Sequence, residues 1–332
     1  MSSEAKLQDS FRRSINYMRI SVTDRCNLRC IYCMPPEGVS WIPHENILTF
    51  EEIERIVRAT ATVGMRKIRI TGGEPLVRRG VVQLVARIAS IPGIKDVAMT
   101  TNALLMPQFA EPLARAGLQR INVSLDTLKP ERFARITRFN CLDKVLAGIE
   151  AAERVGLSPI KINAVILRGV NDDEVVDLAR LSVDRPWHVR FIEAMPLGGN
   201  LPVEKDGYIS AGEIMEALTA LGKPEACEGP GGNGPARYFK IPGARGTVGV
   251  ISPMSHFYCE SCNRVRLSAV GRLRVCLFDD EEVDLRTPLR QGATAEAIVE
   301  IFRKAIATKP QRHNLEVGRS NCSLRALSQI GG

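Results

Sequence analysis

Residues 17–34 read YMRISVTDRCNLRCIYCM. The first half, YMRISVT from Tyr17, has the β-branched, alternating character of a strand. The second half holds Cys26, Cys30 and Cys33 in a C-x3-C-x2-C spacing, with no fourth cysteine. An iron–sulfur cube usually takes four thiolates, one per iron. A cube here would leave one iron without a protein ligand, an open position of the kind metal-centred catalysis needs. The other reading is zinc with a remote fourth ligand. Three cysteines in a short loop with no nearby histidine make an odd zinc finger. The four histidines of the chain, His44, His188, His256 and His313, fall in no ligand-spaced frame.

Outward from this stretch, strand-like runs alternate with amphipathic helical ones. The further strand candidates are KIRIT from Lys67, VAMTT from Val97, INVSL from Ile121, IKINAVIL from Ile160 and HVRFIEA from His188. The first helix opens on a capping box, Thr49 with Glu52 three residues on, and Gly64 marks its end. Further helices are predicted over residues 80–90, 106–116, 141–155, 172–182 and 210–221. Six β units alternating with helices argue for a parallel sheet with helices outside, either an open doubly wound sheet or an incomplete TIM-like barrel. Either places a ligand at the C-terminal ends of the strands, where the cysteine trio falls. The alternation stops near residue 222. A stretch rich in Gly and Pro follows, GKPEACEGPGGNGPAR, which reads as a linker or surface loop. Beyond it come strand-like runs at Tyr238–Ile241 and Thr247–Ile251 and a late helix from Thr294. A domain boundary is expected near 225–235, dividing the chain into 1–228 and 229–332.

A second cysteine group, Cys259, Cys262 and Cys276, repeats the theme of three thiols and no fourth, as C-x2-C-x13-C. Spacing alone favours a structural zinc site; a second open-sided cube would also use three. Arg264 and Arg266, two apart, share a face if they lie on a strand. Two guanidiniums beside a metal site form a fork for phosphate or a purine edge.

Composition sets the outer limits. The 332 residues are 45% hydrophobic and 25% charged, ordinary values for a globular protein. The net charge of +8 suits anionic ligands or merely a basic surface. Nine cysteines, six of them in two tight groups, read as metal sites rather than disulfides. No run of about 18 apolar residues and no secretory signal is present, so the expected compartment is the cytoplasm. A zinc-stapled nucleic-acid-binding protein is the rival class, but aromatic-rich RNA motifs and a helix-turn-helix pattern are missing.

The cysteine trio with Tyr32 just before its third member resembles the radical S-adenosylmethionine (SAM) superfamily. The TGGEP loop, Thr71–Pro75, directly after the second strand candidate, resembles that superfamily's SAM-holding loop. With the C-terminal group the resemblance narrows to the GTP 3′,8-cyclase family and runs almost end to end. It takes in DSFRRSINYMRISVTDRCNLRCIYCMP, KIRITGGEPLVRR, TTN, INVSLDTL, KINAVILRGVND, RFIEAMP, YCESCNRVRL, CLF and the closing IGG. One departure is Ala103, where the family usually has Gly after TTN, so the turn there is expected to differ slightly. A radical SAM enzyme that matures a peptide is the alternative within the superfamily; the arginine pair and the IGG end argue against it.

The resemblance implies an α/β fold, an incomplete TIM-like (β/α)6 barrel with a C-terminal extension over its open side. It implies two [4Fe–4S] clusters, the first on Cys26, Cys30 and Cys33 and the second on Cys259, Cys262 and Cys276. SAM would lie against Tyr32, Gly73, Ser124 and Met195. GTP would be held by Arg19, Arg69, Thr100, Lys161, Arg264, Val265 and Arg266. A 5′-deoxyadenosyl radical would take the C3′ hydrogen of GTP, and C3′ would close on guanine C8, the first step of molybdenum cofactor synthesis. Gly331 and Gly332 of the tail, with Arg264 and Arg266, would serve the radical step. Arg19, Arg69 and Lys161 each sit inside a strand candidate, an unusual place for a cation unless it faces a polar interior with an anionic ligand. The implied partners are a small electron donor such as flavodoxin or ferredoxin and a cyclic pyranopterin monophosphate synthase that takes the product. No nucleic acid or membrane is expected, and the assembly is expected to be a monomer or homodimer.

Overall fold

The computed structural model describes residues 6–195, 207–231 and 234–313. Each expected β unit is present. The strands are β1 (Tyr17–Ser21), β2 (Lys67–Thr71), β3 (Asp96–Thr101), β4 (Arg120–Ser124), β5 (Ile160–Ile166) and β6 (His188–Glu193). Between them lie α1 (Phe50–Ala61), α2 (Val81–Ala89), α3 (Met106–Arg115), α4 (Pro130–Thr137), α5 (Leu142–Arg154) and α6 (Val175–Asp184). The rest comprises α7 (Ala211–Leu218), β7 (Glu225–Cys227), β8 (Arg237–Lys240), β9 (Thr247–Ile251), β10 (Arg264–Leu267), β11 (Arg272–Arg274), β12 (Val283–Asp284), α8 (Arg286–Arg290) and α9 (Ala295–Ala307).

All twelve strands form one sheet in the order β12-β11-β10-β1-β2-β3-β4-β5-β6-β9-β8-β7. The run from β10 through β1–β6 to β9 is parallel throughout, and the antiparallel pairs lie only at the two ends. The sheet does not close, so this is the incomplete barrel expected from the sequence. The later part of the chain supplies both flanks: β9 joins β6, and β10 joins β1. Two of the remaining differences are local. Helix α4, eight residues long, is not among the helices expected from the sequence. Strand β7, inside the Gly/Pro-rich stretch, is a three-residue edge strand with no alternation to betray it.

Alternation along each parallel strand sorts the interior. In β1, Met18 and Ile20 are fully buried in the hydrophobic core. Tyr17 and Arg19, the intervening residues, face the enclosed side and line its cavity. That apolar layer meets the apolar stripes of the helices, and because the other face lines a polar cavity the strands are apolar in every second position instead of continuously. The capping box forms as the sequence predicts: Thr49 Oγ1 accepts from the Glu52 N–H, and Glu52 accepts from the Thr49 N–H. Gly64 follows at φ +102°. Among the described residues no helix is long and apolar enough to cross a membrane.

The turn after β3 carries backbone strain. Ala103 sits at φ +63°, a left-handed conformation that costs a residue with a Cβ about 1 kcal/mol or more. This is a backbone that glycine would adopt freely. The carbonyl of Ala103 comes so close to α5 that a Cβ on Gly148 would stand 2.1 Å from its oxygen. Gly148→Ala should therefore lower stability by roughly 3 kcal/mol or more, read as a fall in the denaturation midpoint. An unchanged midpoint would mean that the Ala103 turn and α5 are not packed this closely.

Candidate active site

The inward side chains of eight strands enclose one cavity of about 270 Å³. One end is built from loops that follow strands. The loop after β1 supplies Cys26, Cys30, Tyr32 and Cys33; the loop after β2 supplies Gly72, Gly73 and Glu74; β4 ends in Ser124. Asp126 and Met195 complete that wall. The two loops touch closely: a Cβ on Gly73 would meet the Arg25 carbonyl oxygen at 2.3 Å, so only glycine fits. Glu74 anchors the corner by accepting from the N–H groups of Leu76 (3.0 Å) and Asn102 (2.7 Å) and from Thr101 Oγ1 (2.8 Å). Burial lifts its carboxyl to about 7 despite those donors. Asn102 Nδ2 in turn donates to Asn27 Oδ1 at 2.7 Å, tying the TTN turn to the cysteine loop. Tyr32 donates its hydroxyl to Asp126 Oδ2 at 2.7 Å, and burial raises that carboxyl to about 6.

The other end is cationic. Arg19, Arg69, Arg190, Arg264 and Arg266 line it, with Tyr17, Thr100, Asn122, Asn163 and Tyr258. Arg69, Arg190 and Arg266 are buried and the other two half-buried. Buried polar atoms without a hydrogen-bond partner gather here: Arg19 Nε, Arg69 Nη1, Arg190 Nε and Nη2, Arg266 Nε, Thr100 Oγ1, Asn122 Oδ1 and Asn163 Oδ1. Such atoms are rare in a finished interior, and each calls for an explanation such as a ligand. Burial, with Arg266 beside it, pulls the Arg19 pKa down. Burial alone would raise Tyr17, but Arg69, Arg19 and Arg264 outweigh it and bring the phenol down.

The second cysteine trio occupies a recess of its own, lined by Cys259, Cys262, Cys276, Phe278, Lys309 and His313 among others. It shares Tyr258, Arg264, Arg266 and Leu277 with the main cavity, so those four residues form the wall between them. None of the six cysteines is in a disulfide. Burial pushes Cys26 up to about 12 and raises Cys30. For Cys262 burial acts upward too, but Arg264 and then Lys309 bring the thiol down to about 6. Arg264 Nη2 lies 3.9 Å from its sulfur. Among the described residues no three His, Cys, Asp or Glu side chains close tightly around a point that a single ion would fill. Each trio lines one edge of a cavity, a setting that fits the larger iron–sulfur group that the spacing suggests.

The structure brings most of the sequence-derived residues to one cavity: Cys26, Cys30, Cys33, Tyr32, Gly73, Ser124, Met195, Arg19, Arg69, Thr100, Arg264 and Arg266. Val265 is placed otherwise. It alternates with the two arginines, and its side chain is 1% exposed within the hydrophobic core, leaving only its backbone near the site. Lys161 is buried away from the cavity lining and donates to the Gly231 carbonyl at 2.7 Å. Gly331 and Gly332 lie outside the described residues. Sequence reasoning passed over Arg190, although it meets the rule that singled out Arg19: a cation in the middle of a strand. Asn122 and Asn163 were legible by the same alternation.

Comparisons with known proteins follow this geometry. Residues 20–182 match the family model of the radical SAM superfamily, and residues 187–315 match that described as Molybdenum Cofactor Synthesis C. The GTP 3′,8-cyclase of Pelotomaculum thermopropionicum is 52% identical over 327 residues, covering 98% of this chain and 100% of that one. That of Heliobacterium modesticaldum is also 52% identical over 327 residues, covering 98% and 99%. Among solved structures, Streptococcus suis SuiB bound to its precursor peptide SuiA aligns with a TM-score of 0.50 at 20% identity, over 62% of this chain and 45% of that one. That last likeness is one of fold.

Burial, with Arg190, Arg120 and Arg69 close by, pulls Lys161 down to about 6. The unfolded chain holds its extra proton up to the ordinary lysine range near 10.5. Between those values the unfolded state binds more protons, so stability should rise with pH across the window. Lys161→Met should flatten that rise by roughly a few kcal/mol, measured by denaturant titration at pH 6 and pH 9. An equal slope in the variant would contradict the assignment.

Proposed function

This chain belongs to the GTP 3′,8-cyclase family of the radical SAM superfamily, and on that premise we propose how its cavity performs the cyclisation. The protein is an enzyme of molybdenum cofactor synthesis that uses SAM and an iron–sulfur cluster to convert GTP to (8S)-3′,8-cyclo-7,8-dihydroguanosine 5′-triphosphate. The observation that carries the residue assignment is the set of arginines with unpaired N–H groups on one side of the chamber, opposite the first cysteine trio.

Cys26, Cys30 and Cys33 would hold the first cluster, and Cys259, Cys262 and Cys276 a second. With SAM bound at the first trio, such a group would supply the radical chemistry that removes the C3′ hydrogen of GTP. Gly73, Tyr32, Ser124 and Met195 form the SAM wall. The glycine lets the backbone approach the ligand, and Tyr32 is held in place by its bond to Asp126. Arg19, Arg69, Arg190 and Arg266 bind the triphosphate. Guanidiniums suit it because they present several fixed donors and keep their charge when buried. Arg264, between Tyr258 and Cys262, sits where the purine would meet the second trio. The walls keep water and bystander side chains from a reactive intermediate, while the bound geometry brings C3′ and C8 together. Gly331 and Gly332 of the tail, outside the described residues, are proposed to serve the radical step. An electron carrier such as flavodoxin or ferredoxin, a downstream cyclic pyranopterin monophosphate synthase and a cytoplasmic location complete the reading.

The direct test is turnover by anaerobically reconstituted protein with GTP, SAM and a reductant. The cyclised triphosphate should appear in step with SAM cleavage; cleavage with no GTP-derived product would reject the reading. Arg190→Ala should weaken GTP binding roughly 10–100-fold, the loss of one or two charged hydrogen bonds, with iron content unchanged. Calorimetric titration of GTP into the variant measures it, and an affinity equal to the parent's would remove Arg190 from the phosphate site.

A further inference from the structure

Lys309 lies two residues beyond the end of α9, at Ala307, and is 4% exposed. It lines the recess of Cys259, Cys262 and Cys276. Its Nζ donates to the carbonyl of Arg264 at 3.0 Å and to that of Val275. Among the described residues no carboxylate forms an ion pair with it. An ammonium has three donors, and two are spent on neutral carbonyls. Taking such a charge out of water costs several kcal/mol unless an opposite charge stands close by.

The surroundings offer one source of negative charge. The two carbonyls that Lys309 holds belong to the residues that flank the trio: Arg264 is two residues from Cys262, and Val275 immediately precedes Cys276. Arg13 holds the third corner by donating to the Cys259 carbonyl at 2.7 Å, but its charge is matched by Asp9. Thiolates around an iron–sulfur group are anionic, and the net charge of the whole assembly becomes one more negative when its iron takes up an electron. Net charge and nearby donors are the means by which a protein sets the potential of such a group.

We propose that Lys309 is a positioning residue for the second cysteine trio, supplying the counter-charge that favours the reduced state of its iron–sulfur group while holding the backbones of β10 and Val275 around it. This rests on the reading that the trio carries such a group. The lysine lines the cysteine recess and not the main cavity, and it touches Arg264 only at the backbone carbonyl.

The test uses the full chain with Cys26, Cys30 and Cys33 all changed to Ala, so that only the second group is observed. Iron and sulfide are assayed after anaerobic reconstitution, and the midpoint potential is measured by a redox titration followed by electron paramagnetic resonance. In Lys309→Met the potential should move negative enough to change the reduced fraction about tenfold at fixed poise, ~59 mV for one electron. Lys309→Arg, which keeps the charge, should stay near the parent. Loss of iron in Lys309→Met with retention in Lys309→Arg also supports the proposal. Retention of both iron and potential in Lys309→Met overturns it. So does loss of iron in both variants with unchanged circular dichroism, which would assign shape rather than charge. If the parent with three alanines binds no iron, the two-cluster reading itself fails, an outcome distinct from the others.

Discussion

Five arginines turned into one enclosed space are the constraint to which the rest of the structure answers. Their mutual repulsion and their loss of water both oppose folding. A closed apolar core would have no use for them. They are tolerated because the barrel is incomplete and hollow, and because an anionic ligand can repay the desolvation when it binds. The pairing of β10 with β1 matters here, since it sets Arg264 beside Tyr17 and Arg266 beside Arg19 and hence Arg69. A chain that stopped after β6 would lack two of the five. The C-terminal strands therefore do more than shield an opening; they complete the charged wall.

The first cysteine trio and Cys262 of the second sit in opposite electrostatic settings, although burial also raises the thiol of Cys276. Around the first, burial dominates, and the acids nearby, Glu74 and Asp126, make a thiolate harder still to form. A metal group there must supply its own positive charge to hold three thiolates. Around the second, Arg264 and Lys309 already favour the thiolate form of Cys262. This asymmetry suits different work at the two ends. A cationic sulfonium ligand is at home near carboxylates, and a polyanionic nucleotide near guanidiniums.

Much of this was legible in the sequence, for physical reasons that can be named. Strand–loop–strand alternation places the first trio and the TGGEP loop together because ends of parallel strands share one rim. A cation inside a strand run is conspicuous, and Arg19, Arg69 and Lys161 stood out that way, whereas Arg264 and Arg266 stood out by their place between the cysteines. Arg190 was equally visible and was passed over. Val265 shows the limit of carrying over a residue role without its orientation: period-two alternation puts it on the far face from Arg264. The Gly/Pro-rich stretch near 222–236 reads as a linker, yet β6 pairs with β9 across it, and Gly234 and Pro235 line the cavity. A lysine such as Lys309 carries no local signal at all. Its meaning comes from carbonyls 34 and 45 residues away in the chain.

Both trios lie on irregular backbone, and irregular backbone leaves carbonyls without ladder partners. The chain satisfies them with long cations at each end. Arg29 donates to the carbonyls of Cys26 and Leu28, and Arg138 donates to those of Arg29 and Met34. Arg13 does the same for Cys259, Pro310 and Gln311. An arginine can bridge several carbonyls at once because its five donors are fixed in a plane, so one side chain sets the relative positions of two or three loop residues. The thiols are thereby held in place before any metal arrives, and less ordering entropy remains to be lost when it binds. In this light the basic balance of the chain has two separate uses, which a net charge cannot distinguish. Some arginines face the ligand space with buried donors unpartnered, and others spend donors on loop carbonyls.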